Sequence, residues 1–244
     1  MSAVLITGAH GRLGCEISKK FPGALTPTRQ ELDIRDATGV SDFLSSHKPS
    51  TIIHLAADTD VRRCESHRAE AYETNVKGTE NLVLASEEVL PECNFIYMST
   101  ACVFHGDRGD YSEEDIPYPE NFYALTKLLG EFIVKRKTNH IIIRGNFVAR
   151  EKWPYPKAFT DRFGTYLFAD DLAKAISDVM KRDITGVIHI VGDEKISMFE
   201  LAKITTPDIL PMTMKEVDIP LTRDMSLRSV RIPPYKITKS PSKG

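Results

Sequence analysis

Tyr123 and Lys127 stand four residues apart in FYALTKLLGE. In a helix that spacing sends both side chains out from one face. An ammonium beside a phenol stabilises the phenolate and lowers its pKa from the ordinary value of about 10, which suits a group that exchanges protons near neutrality. Such a tyrosine can donate to an oxygen that is gaining negative charge. Upstream, NFIYMSTACVF reads as a strand whose C-terminal end carries Ser99 and Thr100. At a strand's C-terminal end their hydroxyls would lie beside a cofactor crevice.

The N-terminal LITGAHGRLGC places Gly8, Gly11 and Gly14 at intervals of three, between an apolar run and a helical pattern. In the first βα turn of a dinucleotide fold, these positions permit the tight turn, let the backbone approach a pyrophosphate, and bring helix and strand together. The acidic residue that would hold an adenosine ribose is absent from LTPTRQELDI, where Thr28 and Arg29 stand instead. Arginine pairs with a 2′-phosphate, so the reading favours NADP, with NAD as the alternative. Asp33 and Ile34 would then border the adenine.

To hold these residues, short apolar runs alternate with helical patterns. Strands are expected at 3–6, 23–26, 51–56, 94–99, 140–145 and 186–191, and helices at 12–20, 36–46, 67–89, 121–137 and 170–181. Phe122, Leu125, Leu128, Leu129 and Phe132 form one apolar stripe on the fourth helix. A short helix over 197–204 is opened by Ser197, with Glu200 at the capping-box position. The layout is α/β, a Rossmann-type doubly wound parallel sheet with a small C-terminal substrate lobe. The dinucleotide domain is expected over 1–225, with lobe insertions at about 145–168 and 192–225. A strap and mobile tail are expected over 226–244.

The 244 residues are 41% hydrophobic, enough for a substantial core, and the formal charge of −2 gives no field to recruit nucleic acid or an anionic membrane. No run approaches the roughly 18 apolar residues of a membrane span, and no basic region followed by a long apolar run is seen at the N-terminus, so a cytoplasmic location is expected. Cys15, Cys64, Cys93 and Cys102 are widely spaced, suggesting neither a disulfide framework nor a metal site. All but Cys102 read as reduced, mostly buried thiols.

Taken together, TGAHGRLG (7–14), RQELDI (29–34), LAAD (55–58), NVKGTENL (75–82), MSTACVF (98–104), YALTK (123–127), DRFGTYLFADDLA (161–173) and MSLRSVR (225–231) resemble the extended short-chain dehydrogenase/reductases. The match lies within their nucleotide-sugar branch, with the dTDP-4-dehydrorhamnose reductases. The resemblance implies NADPH-dependent reduction of a 4-keto-6-deoxy nucleotide sugar, with Thr100, Tyr123 and Lys127 as catalytic hydroxyl, acid and lysine. It implies that Gly8, Gly11 and Gly14, with His10, Arg12 and Leu13 in the same loop, cradle the pyrophosphate. Leu55, Ala56 and Ala57 would line its path, Asn75 would support the active-site helices and, with Tyr123 and Lys127, contact the cofactor, and the protein would be a homodimer.

Where these reductases read STDYVF, this chain reads STACVF, and Phe147 stands where they often carry tryptophan over the sugar. Thr100, Ala101, Cys102, Phe147 and Lys157 are therefore the candidate sugar contacts. Arg150, Lys152, Lys157, Arg228 and Arg231 are candidates for the diphosphate. CVF and RRCESH (62–67) also resemble bifunctional 3,5-epimerase/4-reductases, in which Cys102 would be the epimerase base and Lys157 its partner. A third alternative is a non-catalytic NADP-binding subunit, since the methionine adenosyltransferase β subunit resembles the same family.

Overall fold

Residues 3–239 are described by the computed structural model. Five parallel strands, β1 (Val4–Thr7), β2 (Thr51–His54), β3 (Asn94–Met98), β4 (His140–Arg144) and β5 (Gly186–His189), lie side by side in that order. The sixth expected strand, 23–26, is reduced to a single bridge between Leu25 and Leu5 on the free edge of β1. Pro22 and Pro27 offer no amide to a ladder, and Gly23 turns the chain with φ +89.

Alternation along the strands splits the core. Ile6, Ile53, Ile96 and Ile143 face α1 (Arg12–Ser18) and α5 (Ala169–Val179). Leu5, Ile52, Phe95 and Ile142 face α2 (Ala37–His47), α3 (Gly78–Val89) and the C-terminal end of α4 (Phe122–Val134). The chain leaves β1 through α1 towards Leu25, then reverses through α2 to reach β2. The topological switch point thus falls between the C-terminal ends of β1 and β2, where open α/β sheets receive ligands. α6 (Met198–Thr205) begins with the expected capping box: the Ser197 hydroxyl accepts from the Glu200 amide at 3.1 Å, and the Ser197 amide donates to the Glu200 carboxylate at 2.7 Å.

Two helical expectations change. The single helix over 67–89 is instead Arg68–Tyr72, a π-turn at Glu73–Lys77 and α3, preceded by Val61–Ser66. On α4 the expected apolar stripe is divided: Leu128 is buried, but Leu125 and Phe132 are 38% and 57% exposed, while Thr126, Lys127, Gly130 and Glu131 are buried. The helix turns its polar face inward because that face carries chemistry and hydrogen bonds.

Short ribbons join Phe147–Val148 to Leu167–Phe168, and Lys157–Phe159 to Leu210–Met212. A third sets Phe163–Gly164 between Ile196–Ser197 and Asp224–Met225. Beyond Ser226 the chain bridges Tyr111 through Leu227 and Gly192 through Tyr235, burying Ile232 and Ile237. The expected mobile tail beyond Lys239 lies outside the described residues. No helix among the described residues is long and apolar enough to cross a membrane.

Candidate active site

At the switch point Gly8 adopts φ +69, and a β-carbon there would stand 2.7 Å from the Ala56 amide nitrogen. A β-carbon on Gly14 would stand 2.2 Å from the Gly8 carbonyl oxygen. Loop and helix therefore pack at glycine-only distances, and Gly11 caps α1 without a side chain over the first-turn amides. Leu55, Ala56 and Ala57 continue this surface half-buried, and His10 and Arg12 are exposed beside it. The bare-backbone cradle fits a dinucleotide pyrophosphate. Leu13 and Ile34, in contrast, point into the core, Ile34 lying under Gly78.

Beyond the cradle, Thr28 holds Glu31 through its amide and hydroxyl, at 2.8 and 2.9 Å. Arg29 is exposed, 3.7 Å from Asp33. Arg35, overlooked in the sequence, clamps Asp33 more closely, and chiefly through that hydrogen bonding its carboxyl is pulled down to about 2. Two arginines thus offset Asp33 in the segment expected to meet a 2′-phosphate.

The strand end and α4 bring Thr100 and Tyr123 together. Thr100 is buried and its hydroxyl oxygen accepts from the Cys102 amide at 3.2 Å, leaving its proton free to donate. Burial holds the Tyr123 phenol protonated, with Cys102 pushing the same way and Thr100 opposing as a hydrogen-bonding neighbour. This corrects the expectation that Lys127 lowers the phenol's pKa. Lys127 is 3% exposed and rests over the Tyr97 ring, 4.1 Å from its centroid. A β-carbon on Gly130 would stand 2.1 Å from the Tyr97 hydroxyl, so glycine lets α4 sit down on that ring.

Burial takes the Lys127 ammonium down to about 7, against the pull of Glu131. Between that value and the ordinary 10.5, an unfolded chain holds a proton that the folded chain has released, so folding stability rises with pH across this window. Below about 7 both states hold the proton and the full cost of the buried cation is carried. Lys127→Met is therefore expected to raise the urea midpoint most at about pH 6 and to flatten the rise up to about pH 10. Above that, release of the Tyr123 proton on unfolding works against the fold. Parallel pH profiles for mutant and parent would contradict this account.

Asn75 has no exposed surface, and its amide is fully engaged. It accepts from the Asp58 amide at 2.7 Å and donates to the Asp58 carbonyl and to Thr126 at 2.9 and 3.0 Å. From the π-turn it ties the end of the LAAD segment to α4, which removes it from the direct cofactor contacts. Thr126 completes the tie by donating to the Tyr123 carbonyl at 2.7 Å. Asn121 caps α4, and Glu65 of RRCESH accepts from the Phe122 amide at 2.5 Å.

Sequence reasoning also missed a buried pair behind the site. Glu131 accepts from Ser99 at 2.5 Å and takes a two-pronged contact from Arg144 at 2.9 and 2.6 Å. Its signal was available, because Tyr123, Lys127 and Glu131 recur every fourth residue. His54 bridges Thr7 and Thr79 at 2.7 and 3.0 Å, and burial lowers its pKa to about 3, keeping it neutral.

Several expected substrate residues are placed elsewhere. Lys157 pairs with Glu216 at 2.9 Å on the outer ribbon, and no hydrogen bond or ion pair joins it to Cys102. Arg150 is committed to Asp170, Asp171, the Thr238 carbonyl and the Phe168 ring. Arg231 donates to the carbonyls of Thr185 and Val187, Arg228 lies 3.8 Å from Asp110, and Lys152 is exposed. Phe147 packs against the α1 side of the core. Ala101 and Cys102 remain beside Thr100, both buried. Of the other thiols, Cys64 and Cys93 are buried and Cys15 is exposed.

A glycine cradle at the switch point of a parallel sheet, with threonine, tyrosine and lysine on the adjoining strand end and helix, defines an extended short-chain dehydrogenase/reductase. Residues 1–224 match the family model described as RmlD substrate binding domain, and the chain belongs to that family. It is 28% identical over 229 residues to the dTDP-4-dehydrorhamnose reductase of Aggregatibacter actinomycetemcomitans, covering 83% of this chain and 77% of that protein. It is 34% identical over 139 residues to methionine adenosyltransferase 2 subunit beta of Bos taurus, covering 52% and 41%. The structure of dTDP-4-dehydrorhamnose reductase from Bacillus anthracis in complex with NADP matches with a TM-score of 0.83 at 27% identity, covering 93% of this chain and 90% of that one.

Proposed function

We propose that this protein is an NADPH-dependent reductase of a 4-keto-6-deoxy nucleotide sugar. The observation that carries the reading is the gathering of Tyr123, buried Thr100 and buried Lys127 at the end of the sheet that bears the glycine cradle. When bound in the glycine cradle, NADPH supplies hydride. Tyr123 donates its proton to the sugar oxygen as that oxygen gains charge, and Thr100, its lone pair already engaged by the Cys102 amide, donates a second hydrogen bond. Lys127, on the same face of α4, would hold the nicotinamide ribose. The intact set favours an enzyme over a non-catalytic binding subunit.

The experiment is a panel of dTDP-, UDP-, GDP- and CDP-linked 4-keto sugars followed by NADPH loss. Turnover with at least one is expected, and NADPH binding with no turnover on any would favour the binding subunit. A second reading, epimerisation by Cys102, is favoured by the burial of that thiol two residues after Thr100, whose hydroxyl its amide reaches at 3.2 Å. Deuterium entering C3 or C5 from deuterated buffer would support it, and its absence leaves a plain reductase. The outward apolar face of Leu84, Leu125 and Phe132 on adjacent helices supports a homodimer, which sedimentation tests directly.

A further inference from the structure

On the lobe side of Cys102 lies a buried cation without a counter-charge. Arg162 is 9% exposed, and its guanidinium donates to the Thr222 carbonyl at 3.0 Å. Its two terminal nitrogens meet only thioethers, Met198 at 3.6 Å and Met225 at 3.3 Å. The neighbouring carboxylate, Asp224, is engaged by Lys195 and by the amide and hydroxyl of Ser226, and no ion pair reaches Arg162 among the described residues. Sulfur is a weak acceptor, and an arginine has five N–H groups to satisfy. A desolvated guanidinium without an anion is among the most unfavourable arrangements in a protein interior.

A second, independent observation points to the same place. Tyr166 is 2% exposed and its hydroxyl has no hydrogen-bond partner. Burial raises its pKa most, and Arg162, Cys102 and Asp224 all act on that hydroxyl electrostatically. Met225 links the two groups to the reacting centre: its sulfur lies 3.2 Å from the Cys102 sulfur and 3.3 Å from the Arg162 guanidinium. Tyr166, Met225 and Cys102 share one packed cluster. An unpaired donor and an unpaired cation thus lie within a contact or two of the thiol that neighbours Tyr123.

We propose that Arg162 and Tyr166 form an oxyanion-binding subsite beside Cys102, taking an anionic group of the bound substrate: a nucleoside diphosphate oxygen or a carboxylate on the sugar. The anion receives charge-assisted hydrogen bonds from the guanidinium and one from the phenol, relieving both buried groups at once. The assignment to a sugar-nucleotide substrate rests on the reductase reading; binding of the oxyanion does not.

The test uses the full chain saturated with NADP, so that the glycine cradle is already filled. Calorimetry then measures dTDP in one arm and glucuronate in the other, with glucose as the neutral control. Binding in the dTDP arm assigns the diphosphate, and binding in the glucuronate arm assigns the sugar carboxylate. Tyr166→Phe is expected to weaken the binding arm about tenfold while leaving the ligand-free melting midpoint unchanged or raised, because it deletes a hydroxyl with no protein partner. Arg162→Met should weaken it at least as much, and if that variant fails to fold, Tyr166→Phe decides alone. The subsite is refuted if neither anion binds the parent, or if Tyr166→Phe leaves the affinity unchanged. Failure of the reductase reading would look different, with anion binding intact and no NADPH consumed.

Discussion

Tyr123→Phe is expected to lower kcat by about a thousandfold while leaving the Kd for NADPH within a factor of two or so of the parent, since a positioned general acid contributes about 10²–10⁴. The geometry separates the two quantities. Glycines at β1 and the alanines after β2 form the cradle, whereas the Tyr123 oxygen faces Thr100 at the end of β3. Removing that oxygen takes away a proton from a group that burial holds protonated, and it disturbs no backbone contact of the cradle. The phenylalanine ring keeps the packing, and the Asn121 cap and the Thr126 tie to the Tyr123 carbonyl are unchanged, so α4 stays in place. Stopped-flow reduction with saturating NADPH, beside fluorescence titration of the cofactor, measures both. Undiminished turnover in the mutant would show that another group delivers the proton, and a parallel loss of NADPH affinity would mean that the phenol is part of the cofactor site.

How much of this could be read beforehand depends on whether a feature is local in the chain. Gly8, Gly11 and Gly14 announce a cradle because a turn between strand and helix is set by neighbouring residues. Tyr123 and Lys127 announce a shared face because helical geometry fixes a four-residue spacing. The direction that face takes is not legible in the spacing. Counting apolar residues marks the Phe122–Phe132 stripe, of which only Leu128 is buried, but α4 also buries Lys127 and Glu131, whose partners come from β3 and β4 and are invisible to periodicity. The same reason hid Arg162 and Tyr166, whose surroundings are assembled from Cys102, Met198 and Met225. It also misled the reading of Arg150 and Lys157: each looks free in the chain, and each is engaged by an acid 20 or more residues away. Local chemistry was therefore visible, and the non-local pairing that satisfies or isolates a charge was not.

The largest effect on stability is expected from Glu131→Ala. Glu131 and Arg144 are 0% and 3% exposed, so their attraction acts away from water, and two aligned contacts plus the Ser99 hydrogen bond offset the cost of burying both ions. Deleting the carboxylate leaves the Arg144 guanidinium buried without an anion and Ser99 without its acceptor, a loss of about 3–5 kcal/mol in urea unfolding. It also removes the charge that favours protonated Lys127 one turn away, so that ammonium should titrate lower still. Glu131→Gln keeps hydrogen-bonding atoms and should lose less. The double variant Glu131→Leu with Arg144→Met separates the pair's attraction from the penalty of an orphaned charge. If the single mutant fails because Arg144 is stranded, removing both ions should recover most of the lost stability. If the double variant instead falls by the sum of the single losses, the pair is not coupled, and its place between β3, β4 and α4 would owe nothing to the ion pair.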